Sequence, residues 1–255
     1  MEKVVSKHRV ALVTNAADYA GPPAFSALIA AGFRVLVHDN AFGEPATWSA
    51  FLRNHPGAER ILAEHPAELI EAVWMKEGRL DALVSNDHYP APQSAFTTTE
   101  LTHLRNTLEA LLVRPFALLQ AAVPKLKRQG GANIVLITSC RTRSPIAGGA
   151  VPDAARAAAN ALVRSLSVEL APDNIAINAI APNFLYSEAY YPRSVFVESP
   201  RGKAYIDAHV PIGRLGRPEE IGEVVSFLAT THARFLTGAV IDFSGGWPAT
   251  APRPS

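Results

Sequence analysis

The chain of 255 residues is poor in several things that would each direct a reading. A single cysteine, Cys140, excludes an internal disulfide and fits a reducing compartment. Lys and Arg number 24 against 23 Asp and Glu, so a net charge of +1 creates no field for a nucleic acid or an anionic membrane. Neither sign forms a run of five or six. The eight histidines show no spacing of the H-E-x-x-H kind, so no metal site is expected. No apolar stretch suggests the roughly 20 residues of a membrane span, and the opening MEKVVSKHRVALVT has only a strand-length apolar run, too short for a signal peptide. A soluble cytoplasmic protein is expected, with neither nucleic acid nor membrane as partner.

Short branched-apolar runs alternate with amphipathic stretches. Arg9 to Thr14, Arg34 to His38, Ala82 to Ser85, Asn133 to Thr138, Ile175 to Ile180 and Val240 to Phe243 read as buried parallel strands, with Arg60 to Leu62 a weaker one. Between them, Ala24 to Ala31, the segment to about Pro56, Pro66 to Glu77, Asp153 to Leu170, Pro200 to His209 and Pro218 to Ala229 read as helices. A long helix capped by Thr98 or Thr99 and reaching Gln129 is expected to bend or break at Pro115 and Pro124. With no internal repeat and no linker, the alternation predicts an α/β fold: one Rossmann-like domain over residues 1–247 with a doubly wound parallel sheet, and a mobile tail over 248–255.

The richest stretch runs from Ile134 to Ala171. An apolar strand ends at Ser139, a loop crosses the sheet edge, and a long helix returns Arg156 to the serine. Position 152, thirteen beyond the serine and four before the arginine, holds Pro152. At the first strand-to-helix turn, a dinucleotide-binding fold needs glycines so that backbone amides can approach the pyrophosphate. Read from Thr14 against T-G-x-x-x-G-x-G, those positions hold Asn15, Tyr19 and Gly21. Two glycines are gone and an aromatic ring stands where a cofactor needs space. Asp39, closing the second strand, reads as a turn or cap residue rather than a ribose ligand.

Ser139, position 152 and Arg156 fall where short-chain dehydrogenases/reductases carry serine, tyrosine and lysine. Together with VTNAADYAGPPA, VSND at 84–87, RPFALLQ at 114–120, APNFL, GRLGRPEEIG at 213–222 and TGAVIDFSGG at 237–246, they make the chain resemble the halohydrin dehalogenases over nearly its whole length. That branch of the superfamily has exchanged its nucleotide site for a halide site. The resemblance implies cofactor-independent conversion of vicinal haloalcohols to epoxides and ring opening by small anions in reverse. It implies that Ser139 binds the substrate oxygen and that Arg156 lowers the pKa of a catalytic tyrosine. It further implies that Tyr19, Pro182, Asn183, Phe184, Leu185 and Tyr191 line the halide or substrate site. Superfamily members often form tetramers through this helix and the long one before it. The small face Ala154, Ala155, Ala158 and Ala161 permits close packing, so a homo-oligomer, tetramer or dimer, is expected.

The resemblance fails at one residue. Pro152 has no exchangeable proton and cannot be the base, and loss of a general base costs about a hundredfold to ten-thousandfold. Asp153 is expected to cap its helix; Tyr186, Tyr190 and Tyr191 are expected to line the halide site or pack as a lid; Cys140 is expected in the core. Arg141 and Arg143 read as solvated loop charges. Two alternatives stay open: a non-catalytic protein binding a small anion or alcohol, and a divergent NAD(P)-dependent reductase.

Overall fold

The computed structural model describes residues 8–90 and 93–249. The first half of the chain builds β1 (Val10–Thr14), α1 (Gly21–Ala30), β2 (Arg34–His38), α2 (Pro45–Asn54), β3 (Glu59–Arg60), α3 (Pro66–Glu77) and β4 (Ala82–Ser85). It continues with α4 (Leu101–Leu108), α5 (Arg114–Gln129), β5 (Ala132–Ile137), α6 (Ala150–Leu170) and β6 (Ile175–Pro182). The chain closes with α7 (Arg193–Phe196), α8 (Pro200–His209), α9 (Pro218–Thr230) and β7 (Val240–Phe243). All seven strands lie parallel in one sheet of order β3-β2-β1-β4-β5-β6-β7, the doubly wound arrangement expected.

Strand alternation sorts the core into two layers. Ala11, Val13, Val35, Val37, Val135 and Ile137 face Phe25 and Leu28 of α1, Phe51 of α2, and Val225 and Leu228 of α9. Val10, Leu12, Leu36, Ile134 and Leu136 face the opposite way, against Leu69 and Val73 of α3, Leu118 and Leu126 of α5, and Val163 of α6. Each fully buried leucine contributes about 1.5–3 kcal/mol relative to exposure. A buried sheet of this kind fixes where the strands end, and so fixes the site.

Four expectations need correction. Of the bend or break expected through Leu101–Gln129, the break does not occur: a π turn at Glu109–Val113, one residue before Pro115, absorbs the clash between the proline ring and the carbonyl of Leu111. Pro124 lies on the exposed side, where solvent serves the carbonyl it frees. The resulting 29-residue stretch is long and apolar enough to cross a membrane by length and composition, against the expectation that nothing is, yet its inner side packs Leu118, Leu119, Ala122 and Leu126 into the sheet. Thr98 and Thr99 do not cap it either; both hydroxyls donate to the Ala95 carbonyl in a short 3-10 turn, and the residue before α4 is Glu100. Lastly, α6 begins three residues early, at Ala150, after Gly149. Most of the tail, residues 250–255, lies outside the described residues.

Candidate active site

The carboxyl ends of β4, β5 and β6 converge where β5 delivers Ser139. Its Oγ donates to the Pro182 carbonyl at 3.1 Å and accepts from the Arg141 amide at 3.1 Å. One helical turn apart on the buried face of α6 stand Arg156 and Asn160. Asn160 Nδ2 holds the Ser139 carbonyl at 2.9 Å. Arg156 Nη1 donates to the carbonyls of Asp87 at 2.6 Å and Ile137 at 3.3 Å, so one cation ties together the ends of β4 and β5. Its positive charge also acts on the Tyr190 phenol, lowering its pKa against the effect of burial. The expected approach of Arg156 to the serine-bearing strand end is therefore present.

Two residues that sequence reasoning passed over sit here. Asp87, quoted only within VSND, is 4% exposed, and its carboxylate accepts from Ser85 Oγ at 2.8 Å. Burial pushes its carboxyl up to about 7, against the opposing pull of Ser85 and Arg156. The available signal was an aspartate two residues past a buried strand. Tyr190 was set aside as lining; its Oη accepts from the Tyr89 amide at 3.0 Å, and its ring packs on Tyr19 with centroids 5.1 Å apart. Nothing in the local sequence shows that it faces Arg156.

Pro152 is the third residue of α6, half-buried, in the first turn, where a missing amide hydrogen costs no helical bond. Asp153 falls inside that turn and is not the cap. Its carboxylate instead accepts from Arg141 Nε at 2.8 Å. Arg143 pairs with Asp242, so the two arginines read as solvated charges are both in ion pairs. Cys140 is buried as expected, though β5 has ended before it and strand alternation does not place it there. Burial pushes its thiol up to about 12, with Asp242 adding to the shift.

In the β1–α1 loop side chains replace glycines. Asn15 and Tyr19 both adopt positive φ, 47° and 57°, the region that glycine occupies without penalty. Asn15 Nδ2 donates to the Asn86 carbonyl, and Asn86 Nδ2 donates back to the carbonyls of Asn15 and Asp18 at 2.8 and 2.9 Å. Gly21 is retained because a Cβ there would lie 2.6 Å from the Ala16 backbone. Asp39 receives the amides of Ala17 and Ala41, the turn role expected of it. The Tyr19 ring lies against Tyr190 and, at 5.8 Å, His88, and burial raises its phenol pKa. With side chains in two of the glycine places and Tyr19 packed across the opening, this loop does not fit a nicotinamide dinucleotide.

Beyond Pro182, Asn183 Oδ1 accepts from the Tyr191 hydroxyl at 2.9 Å and from the Phe184 amide at 3.1 Å. Phe184 is held at φ 59°, an uncommon backbone for an aromatic residue, with its ring buried against Tyr191 and Trp247. Leu185 and Tyr19 meet the same core layer. The expected halide set is thus brought to one sheet end in two groups: Tyr19 against Tyr190, and Asn183, Phe184 and Tyr191 bonded to one another. A cleft of about 130 Å³ touches Asn183 and Phe184, and one of about 310 Å³ lies between α8 and Gly213–Pro218; neither is lined by Ser139 or Arg156. Among the described residues no three His, Cys, Asp or Glu side chains gather as a metal set.

Residues 63–248 match the family described as enoyl-(acyl carrier protein) reductase. An uncharacterised oxidoreductase of Methylorubrum extorquens is 31% identical over 93% of this chain and 97% of its own. Dehydrogenase/reductase SDR family member 4 of Homo sapiens is 29% identical over 73% of this chain, a match spanning 66% of the human protein. The chain belongs to the short-chain dehydrogenase/reductase superfamily. Among solved structures, a halohydrin dehalogenase bound to ethyl (2S)-oxiran-2-ylacetate superimposes with a TM-score of 0.91 at 35% identity, covering 96% of this chain and 100% of that one.

Proposed function

We propose that this protein is a carbon–halide lyase of the halohydrin dehalogenase type, acting without a nicotinamide cofactor on vicinal haloalcohols and, in reverse, on epoxides with small anions. The observation that carries the reading is the β1–α1 loop, where Tyr19 and Asn15 stand in place of glycine and Tyr19 packs on the β6–α7 loop. The likeness to a halohydrin dehalogenase at 35% identity supports it further. In this reading Ser139 Oγ holds the substrate hydroxyl, and Arg156 stabilises the negative charge that develops on proton removal. The alkoxide then attacks the neighbouring carbon, an intramolecular step favoured by orientation. Halide leaves toward the Asn183–Leu185 turn and Tyr191. The protein works in the cytoplasm as a homo-oligomer, with the exposed Val113, Phe116 and Val168 on the outer helices as contact surface.

A second reading, a nicotinamide-dependent reductase, is favoured by the names of the curated relatives. A third, a binding protein without turnover, is favoured by Pro152. Halide release from a vicinal bromoalcohol with no nucleotide present, beside a titration with NADH and NADPH, separates all three. Bromide release and no nucleotide binding are expected. Nucleotide binding without bromide release overturns the lyase reading, and silence in both leaves the binding protein.

A further inference from the structure

With Pro152 unable to move a proton, the site needs another group beside Arg156. We propose that Tyr190, carried by the β6–α7 loop, is the proton acceptor of this enzyme, an inference that rests on the lyase reading. Its hydroxyl oxygen receives the Tyr89 amide at 3.0 Å, and the positive charge of Arg156 acts on it as well, two influences that favour a phenolate. Among the described residues no group accepts its proton. The ring is fixed: Tyr190 N donates to Ser187 Oγ at 3.2 Å, Tyr191 N donates to the Ser187 carbonyl at 2.8 Å, and Tyr19 covers one side. Arg156 bonds the Asp87 carbonyl, two residues before Tyr89, and the Ile137 carbonyl, two residues before Ser139, so one guanidinium spans the strand ends that lead to the phenol's partner and to the serine.

The Tyr190 phenolate takes the substrate hydroxyl proton. The resulting alkoxide forms a C–O bond to the adjacent carbon as the C–halogen bond breaks, and halide leaves with the bonding pair. Tyr190 then returns its proton to water, so haloalcohol gives epoxide, halide and a proton. The groups facing Tyr190 are Arg156 from α6, Tyr89 from the β4–α4 loop, and Asp18 and Tyr19 from the β1–α1 loop, with His88 against Tyr19 at 5.8 Å between ring centroids. Burial raises the phenol pKa overall while Arg156 and the Tyr89 amide lower it, so the rate increases with pH through the neutral and alkaline range.

Bromide release is compared for the unmodified protein, Tyr190→Phe, Pro152→Tyr and the double variant, each with its pH–rate profile and melting temperature. Tyr190→Phe is expected to lose about a hundredfold or more, and Pro152→Tyr in that background is expected to restore release with a shifted pH profile. Equal rates for Tyr190→Phe and the unmodified protein overturn the proposal. Loss that Pro152→Tyr does not restore also overturns it, because Tyr190 then supports only the pocket's shape. If the unmodified protein is silent and Pro152→Tyr is active, Tyr190 fails while the lyase reading stands. Silence in all four removes both.

Discussion

The carboxyl edge of the sheet has two halves, built from the same parallel strands and finished differently. At β1, β2 and β4 the loops are closed on themselves: Asn15 and Asn86 exchange amide bonds and Asp39 holds Ala17 and Ala41. At β5 and β6 a serine and a buried arginine stand at one strand end, with the Tyr190 phenol carried by the adjoining loop. The first half is where a dinucleotide-binding fold opens its backbone to phosphate, and here side chains have filled that opening. The second half is where the superfamily does its chemistry, and here it keeps a cation and a hydroxyl. Closing one half transfers the burden of function to the other.

The most severe test of that contrast is Ser139→Ala. If chemistry resides at the β5–β6 end, bromide release falls by about a hundredfold or more, with the melting temperature nearly unchanged because the Asn160 bond to the Ser139 backbone survives. Asn86→Ala should do the reverse. It removes the side-chain donor to the carbonyls of Asn15 and Asp18, of which Asp18 keeps the Gly21 amide, and costs about 1–3 kcal/mol, read as a lowered melting temperature. Any gain of nucleotide binding in that variant shows that the closed half is held shut only by this amide.

Much of this contrast was readable beforehand. Most of the strands, their parallel sheet and the positions of Ser139 and Arg156 follow from short apolar runs and one spacing, because buried strands leave little freedom. The filled glycine places at Asn15 and Tyr19 were equally visible. What escaped depends on contacts between distant segments. Tyr190 meets Tyr89 across 101 residues, and Arg156 meets Asp87 across 69, so neither partnership has a local pattern. The start of α6 was missed for a different reason: Asp153 suits a cap, but its carboxylate finds a stronger partner in Arg141 while Gly149 begins the helix.

Asp87 sits at the seam between the halves and gives a pH signature. Its carboxyl is raised from 3.8 to about 7 in the folded chain. Between those values the folded state binds a proton that the unfolded state has released, so this group adds stability as pH falls and loses it as pH rises toward 7. Thermal unfolding across that window should show the melting temperature rising by a few degrees on acidification, at about 2–4 °C per kcal/mol. Asp87→Asn should remove that component. An unchanged pH dependence in the variant means that Asp87 is already ionised and paired with Arg156 at neutral pH.

The smallest effect separates the two arginines of the β5–α6 loop. Arg143 pairs with Asp242 while remaining 60% exposed, whereas Arg141 and Asp153 are 23% and 14% exposed. An exposed pair gains little beyond the entropy it costs, so Arg143→Gln should change stability by less than about 1 kcal/mol, and salt should shrink even that. Arg141→Gln is costlier, since it strands a mostly buried carboxylate in the first turn of α6, next to Pro152. Bromide release should be unaffected by Arg143→Gln. A raised KM in that variant for the small anion in the reverse ring opening shows instead that the loop cation draws that anion toward Ser139, and the boundary of the open half then extends to Asp242.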